Sequence, residues 1–348
     1  MLLTSYRNRR AATIENNRLR VTVLQEGGHI AEMYHKAAGV NPLWIPPWTS
    51  LEPSLFDRLK PTEYGDGEDA RLLAGIMGHN LCLDIFGVPS PEEAAAGLTP
   101  HGEGSVVPYE LGGNAEALTA RAHLPIAELN FERRLELKDD AVRVRETVES
   151  LARCDRPIAW TQHVTLGPPF LARGTTEFRA SATRSRVFEG RFGVADYLQS
   201  GSDFDWPDAP RVDGGVADLR LFTAEERSSA YTAHLMDPRR EDAFFVGYSP
   251  EFRLAFGCVW KRADFPWLGI WEENHSRTAA PWNQQTLARG MEFGVSPIPE
   301  SRRAMIDRGR LFGVPTYRWL AARSQVTVEY WIVAARASAV PESLDRPV

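Results

Sequence analysis

Cysteine is scarce in this chain, with three in 348 residues. Cys82, Cys154 and Cys258 are far apart and form no CxxC pair. That spacing argues against a structural zinc site or a disulfide framework and fits reduced thiols in a cytoplasmic protein. Long apolar runs are also missing. No stretch is long enough to span a bilayer, and Met1-Leu2-Leu3-Thr4-Ser5-Tyr6-Arg7 lacks the apolar core of a signal peptide. The expectation is therefore a cytoplasmic location and no membrane partner. Neither GxGxxG nor GxxxxGK[ST] occurs, so no nucleotide cofactor is implied. No HxH or HExxH spacing links the eight histidines, so no metal is expected. There is no excess of basic charge either. Lys and Arg total 40 against 46 Asp and Glu, for a net charge of −6. This gives no support for a nucleic-acid partner. Lysine is rare but arginine is plentiful, which leaves a phosphorylated ligand open. Nothing in the sequence bears on oligomeric state.

Strand patterns dominate what is present. Arg18 to Leu24 and Gly28 to Tyr34 form a hairpin pattern joined at Gly27-Gly28. Leu118, Ala120, Ala122 and Leu124 alternate with Thr119, Arg121 and His123, the period of a half-buried strand. Leu129–Lys138 and Ala141–Leu151 follow, with Asp139-Asp140 at a natural turn. Further strands are expected at Pro157 to Leu166 and near Gln325 to Ala334. Helices are few. Ser90-Pro91-Glu92-Glu93 is a capping box that opens a short helix closed by Gly97, and a second helix is expected over Glu300 to Arg308. Hydrophobic residues at 43% are ample for a core. An all-β fold in one domain, 1–348, is the expected organisation. Residues 40 to 116 are rich in Pro and Gly and lack periodicity. So long an irregular stretch suggests a loop excursion folded over a site. Residues 197 to 215 make a smaller one.

Three polar residues stand out by context. Glu292 lies in Arg289-Gly290-Met291-Glu292-Phe293-Gly294, where small neighbours on its strand face leave room for a ligand. An exposed glutamate on a bulged edge strand is the plainer alternative. His163, in Trp160-Thr161-Gln162-His163, shares its strand face with Ala159, Thr161 and Thr165 and opposes Trp160 and Val164. It is a cleft residue or a structural histidine. His101 sits in Thr99-Pro100-His101-Gly102, a context that lets something approach closely. Two imidazoles and a carboxylate suffice for acid/base chemistry near neutral pH. Gly78-His79-Asn80 is a second polar loop element. Among the ten tryptophans, Trp44, Trp48, Trp160, Trp206, Trp267, Trp271 and Trp282 neighbour polar residues. Trp271-Glu272-Glu273-Asn274 is the best aromatic-plus-carboxylate cluster for a sugar.

In this order and rough spacing, these residues resemble the galactose mutarotase-like superfamily, which includes the aldose 1-epimerases. Arg18 to Leu24 with Gly27-Gly28-His29-Ile30 is similar to its opening hairpin. Thr161-Gln162-His163 resembles the strand of its catalytic histidine, and Arg289 to Gly294 the strand of its catalytic glutamate. His101-Gly102 is similar to its sugar-contacting histidine-glycine pair. The resemblance implies a large antiparallel β-sandwich, or supersandwich, with few short helices. It implies a small-molecule carbohydrate ligand and no cofactor, with Glu292 as base and His163 as acid. His101, Asn80, His79, Trp160, Trp271 and Glu273 are the implied substrate-binding set. The chain departs from the family pattern after both motifs. The His163 strand continues as Val164-Thr165-Leu166-Gly167-Pro168-Pro169-Phe170, without the aromatic-Asn-Leu ending, and no Thr-Gln follows Glu292. Asn80 lies where the family's arginine is expected, and Asp203 or Asp205 stands for its aspartate. These differences imply a divergent branch. A non-catalytic carbohydrate-binding protein remains an alternative. So does a hydrolase or lyase pairing Glu272 or Glu273 with Glu292.

Overall fold

The computed structural model describes residues 1–59 and 63–347. Two antiparallel sheets pack face to face. The larger runs Leu2–Tyr6, Arg9–Glu15, Leu19–Leu24, Ile30–His35, His79–Asp84, Arg156–Leu166, Leu287–Gly294, Trp267–Asn274, Ser228–Met236, Ala182–Val187 and Asp203–Asp205, and Arg318–Leu320 pairs with the start of Arg156–Leu166. The smaller runs Glu177–Ala180, Asp242–Ser249, Leu254–Lys261, Gln325–Arg336, Ala141–Ser150, Leu129–Lys138, Ala117–Leu124 and Glu110–Gly113. One hydrophobic cluster fills the space between them, with Val21, Leu83, Trp160 and Phe293 from one sheet and Leu118, Val144, Phe256 and Ile332 from the other. This is the expected all-β sandwich.

The strands expected from alternation are present to within a residue or two, although the structure has many more. Leu118, Ala120 and Leu124 point into the core while Arg121 and His123 face solvent. The helix Pro91–Ala95 has its reciprocal capping box, with the Glu93 N–H donating to Ser90 Oγ and the Ser90 N–H to the Glu93 carboxylate. The second helix, Arg302–Arg308, is capped by Ser301. The 40–116 excursion needs one correction, because its middle, His79–Asp84, is a central strand of the large sheet. All six of its residues are buried. A strand covered on both faces shows no polar–apolar alternation, so its sequence hid it. Its last part, Glu110–Gly113, is the edge strand of the smaller sheet, and the helix Ala70–Gly75 lies over the outer face of the large one. Arg9, fully buried, ties it down by donating to Glu52, to Ser50 and to the carbonyls of Gly75 and Glu26. The helix Ala70–Gly75 is thereby held against the sheet.

Between the sheets lies a buried polar network. Arg133 of the smaller sheet donates to Glu146 (2.7 Å), to the Gly28 carbonyl (3.0 Å) and to Gln162 Oε1 (3.1 Å). Glu146 also accepts from Trp160 Nε1 (3.0 Å), Gln162 Nε2 (2.6 Å) and the Tyr330 hydroxyl (3.0 Å). His79 Nε2 donates to Gln162 Oε1 (3.0 Å). Burial alone would lower the Arg133 pKa, but the Glu146 carboxylate and nearby phenols more than offset it, and the guanidinium stays charged. Both ions are satisfied on several sides, the condition under which a buried pair is tolerated.

Several histidines are also buried. Desolvation, with Arg9 nearby, pushes His29 down to about 3, and desolvation with Arg289 does the same to His234. His79 is held well below its usual value by burial and then by Arg133. His29 and His234 are neutral in the folded protein above about pH 3, and burial likewise favours neutral His79.

Two outcomes are expected. Arg133→Leu strands a buried carboxylate and should cost about 3–5 kcal/mol, read by urea unfolding; a loss below 1 kcal/mol would contradict the assignment. The second concerns acid. Below about pH 6.5 the unfolded chain takes up protons on these histidines and the folded one does not, so stability is complete above that pH and falls as pH drops toward 3. Each histidine contributes up to ~1.4 kcal/mol per pH unit to that slope. Between pH 6 and 4.5, His234→Gln should flatten the fall by about that amount. An unchanged slope would show that His234 is not held neutral.

Candidate active site

The outer face of the large sheet holds a cleft of about 540 Å³. Four adjacent strands supply its floor with one side chain each: His163, Glu292, Trp271 and Tyr231. The excursion supplies one wall through Asp69, Leu72 and Leu73 beside Phe86 and His101, and Phe188, Phe192, Arg277 and Trp282 close the other side.

His163 and Glu292 are register partners on neighbouring antiparallel strands. Their side chains meet at 3.0 Å, Nε2 to Oε1, with both nearly excluded from solvent. The ring N–H is not aimed along a hydrogen bond, and Oε1 accepts none within the described residues. His163 Nδ1 is fixed by Thr165 Oγ1 at 3.0 Å. The glycines around Glu292 have a different use from the one expected. A Cβ on Gly290 would sit 2.4 Å from Glu292 Oε1, and one on Gly294 would sit 2.4 Å from Thr161 Oγ1. The space beside the carboxylate is thus filled by the carboxylate itself, folded back over its own strand. Gly269, the neighbour of Glu292 on the other side, clears the Tyr231 hydroxyl in the same way. That hydroxyl donates to the Pro297 carbonyl at 3.0 Å. Burial and then Glu292 hold Tyr231 well above its usual pKa, in the protonated form.

His101 has φ 70°, and Gly102 follows at φ 76°. Glycine is required there, since a Cβ would meet the Leu83 carbonyl at 2.2 Å. This tight turn seats the His101 ring 4.7 Å from that of His163. Its Nδ1 lies 3.1 Å from Asn80 Oδ1. With the amide oxygen accepting, Nδ1 carries the proton and Nε2 is left as an acceptor. Burial and then His163 hold the His101 pKa well below 6.5, so the ring is neutral.

Four of the expected site residues therefore line the cleft: His163, Glu292, His101 and Trp271. Asn80 and Glu273 sit one layer behind. Asn80 holds His101, and Glu273 accepts the N–H groups of Ser276 (2.6 Å) and Arg277 (2.9 Å) and lies 3.5 Å from the Arg277 guanidinium. Two expectations are corrected. Trp160 and His79 point through the sheet into the core, where both join the Arg133–Glu146 network. Strand alternation puts them on the face opposite His163. Glu272 also faces away, bonded to Ser228 and Tyr197. Asp203 and Asp205 lie on an outer strand, where Asp203 pairs with Arg186. Among the described residues no three His, Cys, Asp or Glu side chains come together as a metal site, and no helix is long and apolar enough to cross a membrane.

Sequence reasoning missed Arg277. It leaves the strand of Trp271 four residues after Glu273, the one spacing that hinted at a pair. Its Nε donates to the Phe192 carbonyl (3.0 Å), and its guanidinium lies over the Trp282 ring at 4.6 Å and the Trp271 ring at 5.4 Å. The carboxylate behind and the aromatic faces below fix it, with its charge facing the cleft. Asp69, across the cleft, is the nearby acid. Burial raises its pKa, and Arg277 pulls in the opposite direction. Trp282 and Trp271 contact each other edge to face, with Trp44 stacked on Trp282 and Trp48 edge-on to both Trp44 and Trp282.

No protein-family model and no curated protein matches the sequence. Solved structures do. A Klebsiella pneumoniae protein assigned provisionally as an aldose 1-epimerase superposes with a TM-score of 0.66 at 13% identity, over 97% of this chain and 82% of that one. A galactose mutarotase-like protein from Clostridium acetobutylicum gives 0.63 at 11%, over 96% and 98%. Another from Lactobacillus casei gives 0.60 at 14%, over 93% and 100%.

Proposed function

Taking the galactose mutarotase-like fold as the premise, we propose that this chain interconverts the anomers of an aldose with a free anomeric centre. The observation that carries the reading is the 3.0 Å contact of His163 and Glu292 at the cleft floor. In a cyclic sugar the anomeric hydroxyl and the ring oxygen share one carbon, so an acid and a base must converge on nearly one point. Glu292 takes the proton of the anomeric hydroxyl as the bond from C1 to the ring oxygen breaks. His163, protonated, gives its Nε2 proton to that oxygen. The open aldehyde turns about the C1–C2 bond. On closing, the hydroxyl attacks the other carbonyl face and returns its proton to His163, and Glu292 returns its own to the carbonyl oxygen. Protons balance over the cycle, and no oxidant or nucleotide takes part.

The neighbouring groups support these roles. Neutral His101 offers Nε2 as an acceptor for a sugar hydroxyl. Arg277 donates to other hydroxyls and Asp69 accepts from them. Trp271 and Trp282 offer flat faces to sugar C–H groups. Asn80 and Glu273 act as positioning residues for His101 and Arg277. The hydrolase alternative loses its proposed carboxylate pair, because Glu272 faces away and both N–H contacts of Glu273 are internal. A pure binding protein has no use for an acid and a base in contact.

Polarimetry or proton NMR of freshly dissolved anomers, over a panel of neutral and phosphorylated aldoses, tests the reaction. Equilibration should be faster than in buffer. Each proton-transfer group contributes ~10²–10⁴-fold, so Glu292→Gln should lose about that much. Turnover near wild type in that variant would overturn the base assignment. Gly290→Ala, whose Cβ would displace Glu292 Oε1, should lose activity comparably while its far-UV circular dichroism is unchanged. Full activity in Gly290→Ala would show that the folded-back carboxylate is not the working one.

A further inference from the structure

The cleft is larger than one sugar ring needs. Its roughly 540 Å³ matches about eighteen waters at ~30 Å³ each, whereas an aldohexose has a dozen non-hydrogen atoms. A second cavity of about 320 Å³ adjoins it, and Phe188, Arg191, Phe192 and Tyr231 line both. The segment from Phe188 to Phe192 is therefore a common wall. Its surfaces are those of a sugar platform. Phe192 lies parallel to Tyr231 (5.1 Å, 16°), and Phe188 stands edge-on to Phe192 at 4.9 Å. Arg191, exposed between them, makes no hydrogen bond or ion pair among the described residues. Beyond the wall the second cavity has a mixed lining, with Asp196 and Ser200 beside Leu198 and Val212. Asp196 is pinned by the N–H groups of Phe192 (3.0 Å) and Gly193 (3.1 Å) and by the Ser229 hydroxyl, which leaves its remaining lone pairs for a ligand. Aromatic faces for C–H surfaces, a guanidinium and a carboxylate for hydroxyls are the groups a pyranose ring uses.

We infer that the adjoining cavity is a subsite for a second sugar unit, and that the substrate class is a reducing disaccharide or longer glycan. The inference rests on the anomer-interconverting reading only to place the reducing end at His163 and Glu292. The linked unit then crosses the Phe188–Phe192 wall, with Arg191 hydrogen-bonding it.

Two surface substitutions fill the second cavity without touching the cleft: Val212→Trp and Ser200→Trp, both at exposed positions. Mutarotation of maltose, cellobiose and lactose is compared with that of glucose and galactose. Wild type should show a kcat/KM about tenfold higher for at least one disaccharide than for its reducing-end monosaccharide. Either variant should remove that advantage and leave the monosaccharide value within about twofold. Equal or lower efficiency for every disaccharide, or an advantage that survives both variants, would overturn the subsite. Calorimetric titration of the same sugars separates this outcome from failure of the reaction itself. Should no sugar mutarotate, tighter disaccharide binding lost in Val212→Trp still supports the subsite, and equal binding of both classes rejects it.

Discussion

The pairing of Arg133 with Glu146, and their joint hold on Gln162, is the constraint on which the cleft depends. Gln162 and His163 are consecutive on one strand, so their side chains leave opposite faces of the sheet. Gln162 accepts from Arg133 and His79 and donates to Glu146. A slip of one residue would put His163 among these ions and turn Gln162 toward the cleft. An apolar core would tolerate such a slip more readily, because its contacts are not directional. The buried ions make the register specific. His163 keeps its place opposite Glu292 because its neighbour is held on the other side.

Around this fixed strand the site is assembled by layers. The sheet presents the floor, and the excursion is brought over it by Arg9 and by the cluster at Asp84. There Arg302 makes two bonds to the carboxylate (2.9 and 2.7 Å) and reaches Glu93 as well, while Arg156 pairs with the same aspartate. The helices Pro91–Ala95 and Arg302–Arg308, each too brief to be stable alone, are docked by these ion pairs at the end of the His79 strand. The helices and the turn at His101 are thus anchored to the same strand that carries Asn80.

Much of this was legible in the residues, and the failures have physical causes. Period-two alternation located the strands with one solvated face, as at Leu118 to Leu124. It could not locate His79–Asp84, which is covered on both sides. His163 and Glu292 were found through their strand contexts. Trp160 was grouped with them by chemistry, although the same alternation that exposes His163 to the cleft sends Trp160 into the core. Arg277 and Asp69 escaped because they reach the cleft from segments outside the strands, and sequence spacing carries no information on where such segments fold. The glycines beside Glu292 were noticed for the right reason, want of a side chain, but the occupant of the freed space is the glutamate's own carboxylate.

That last arrangement bears on how such a centre can be transplanted. A histidine and a glutamate grafted onto facing positions of another antiparallel sheet would not reproduce it. With any larger residue two positions before the acid, a Cβ would fall 2.4 Å from the place of the oxygen that touches the imidazole, and the carboxylate would have to move. The transferable unit is a triplet whose third member is a hydrogen atom in place of a side chain.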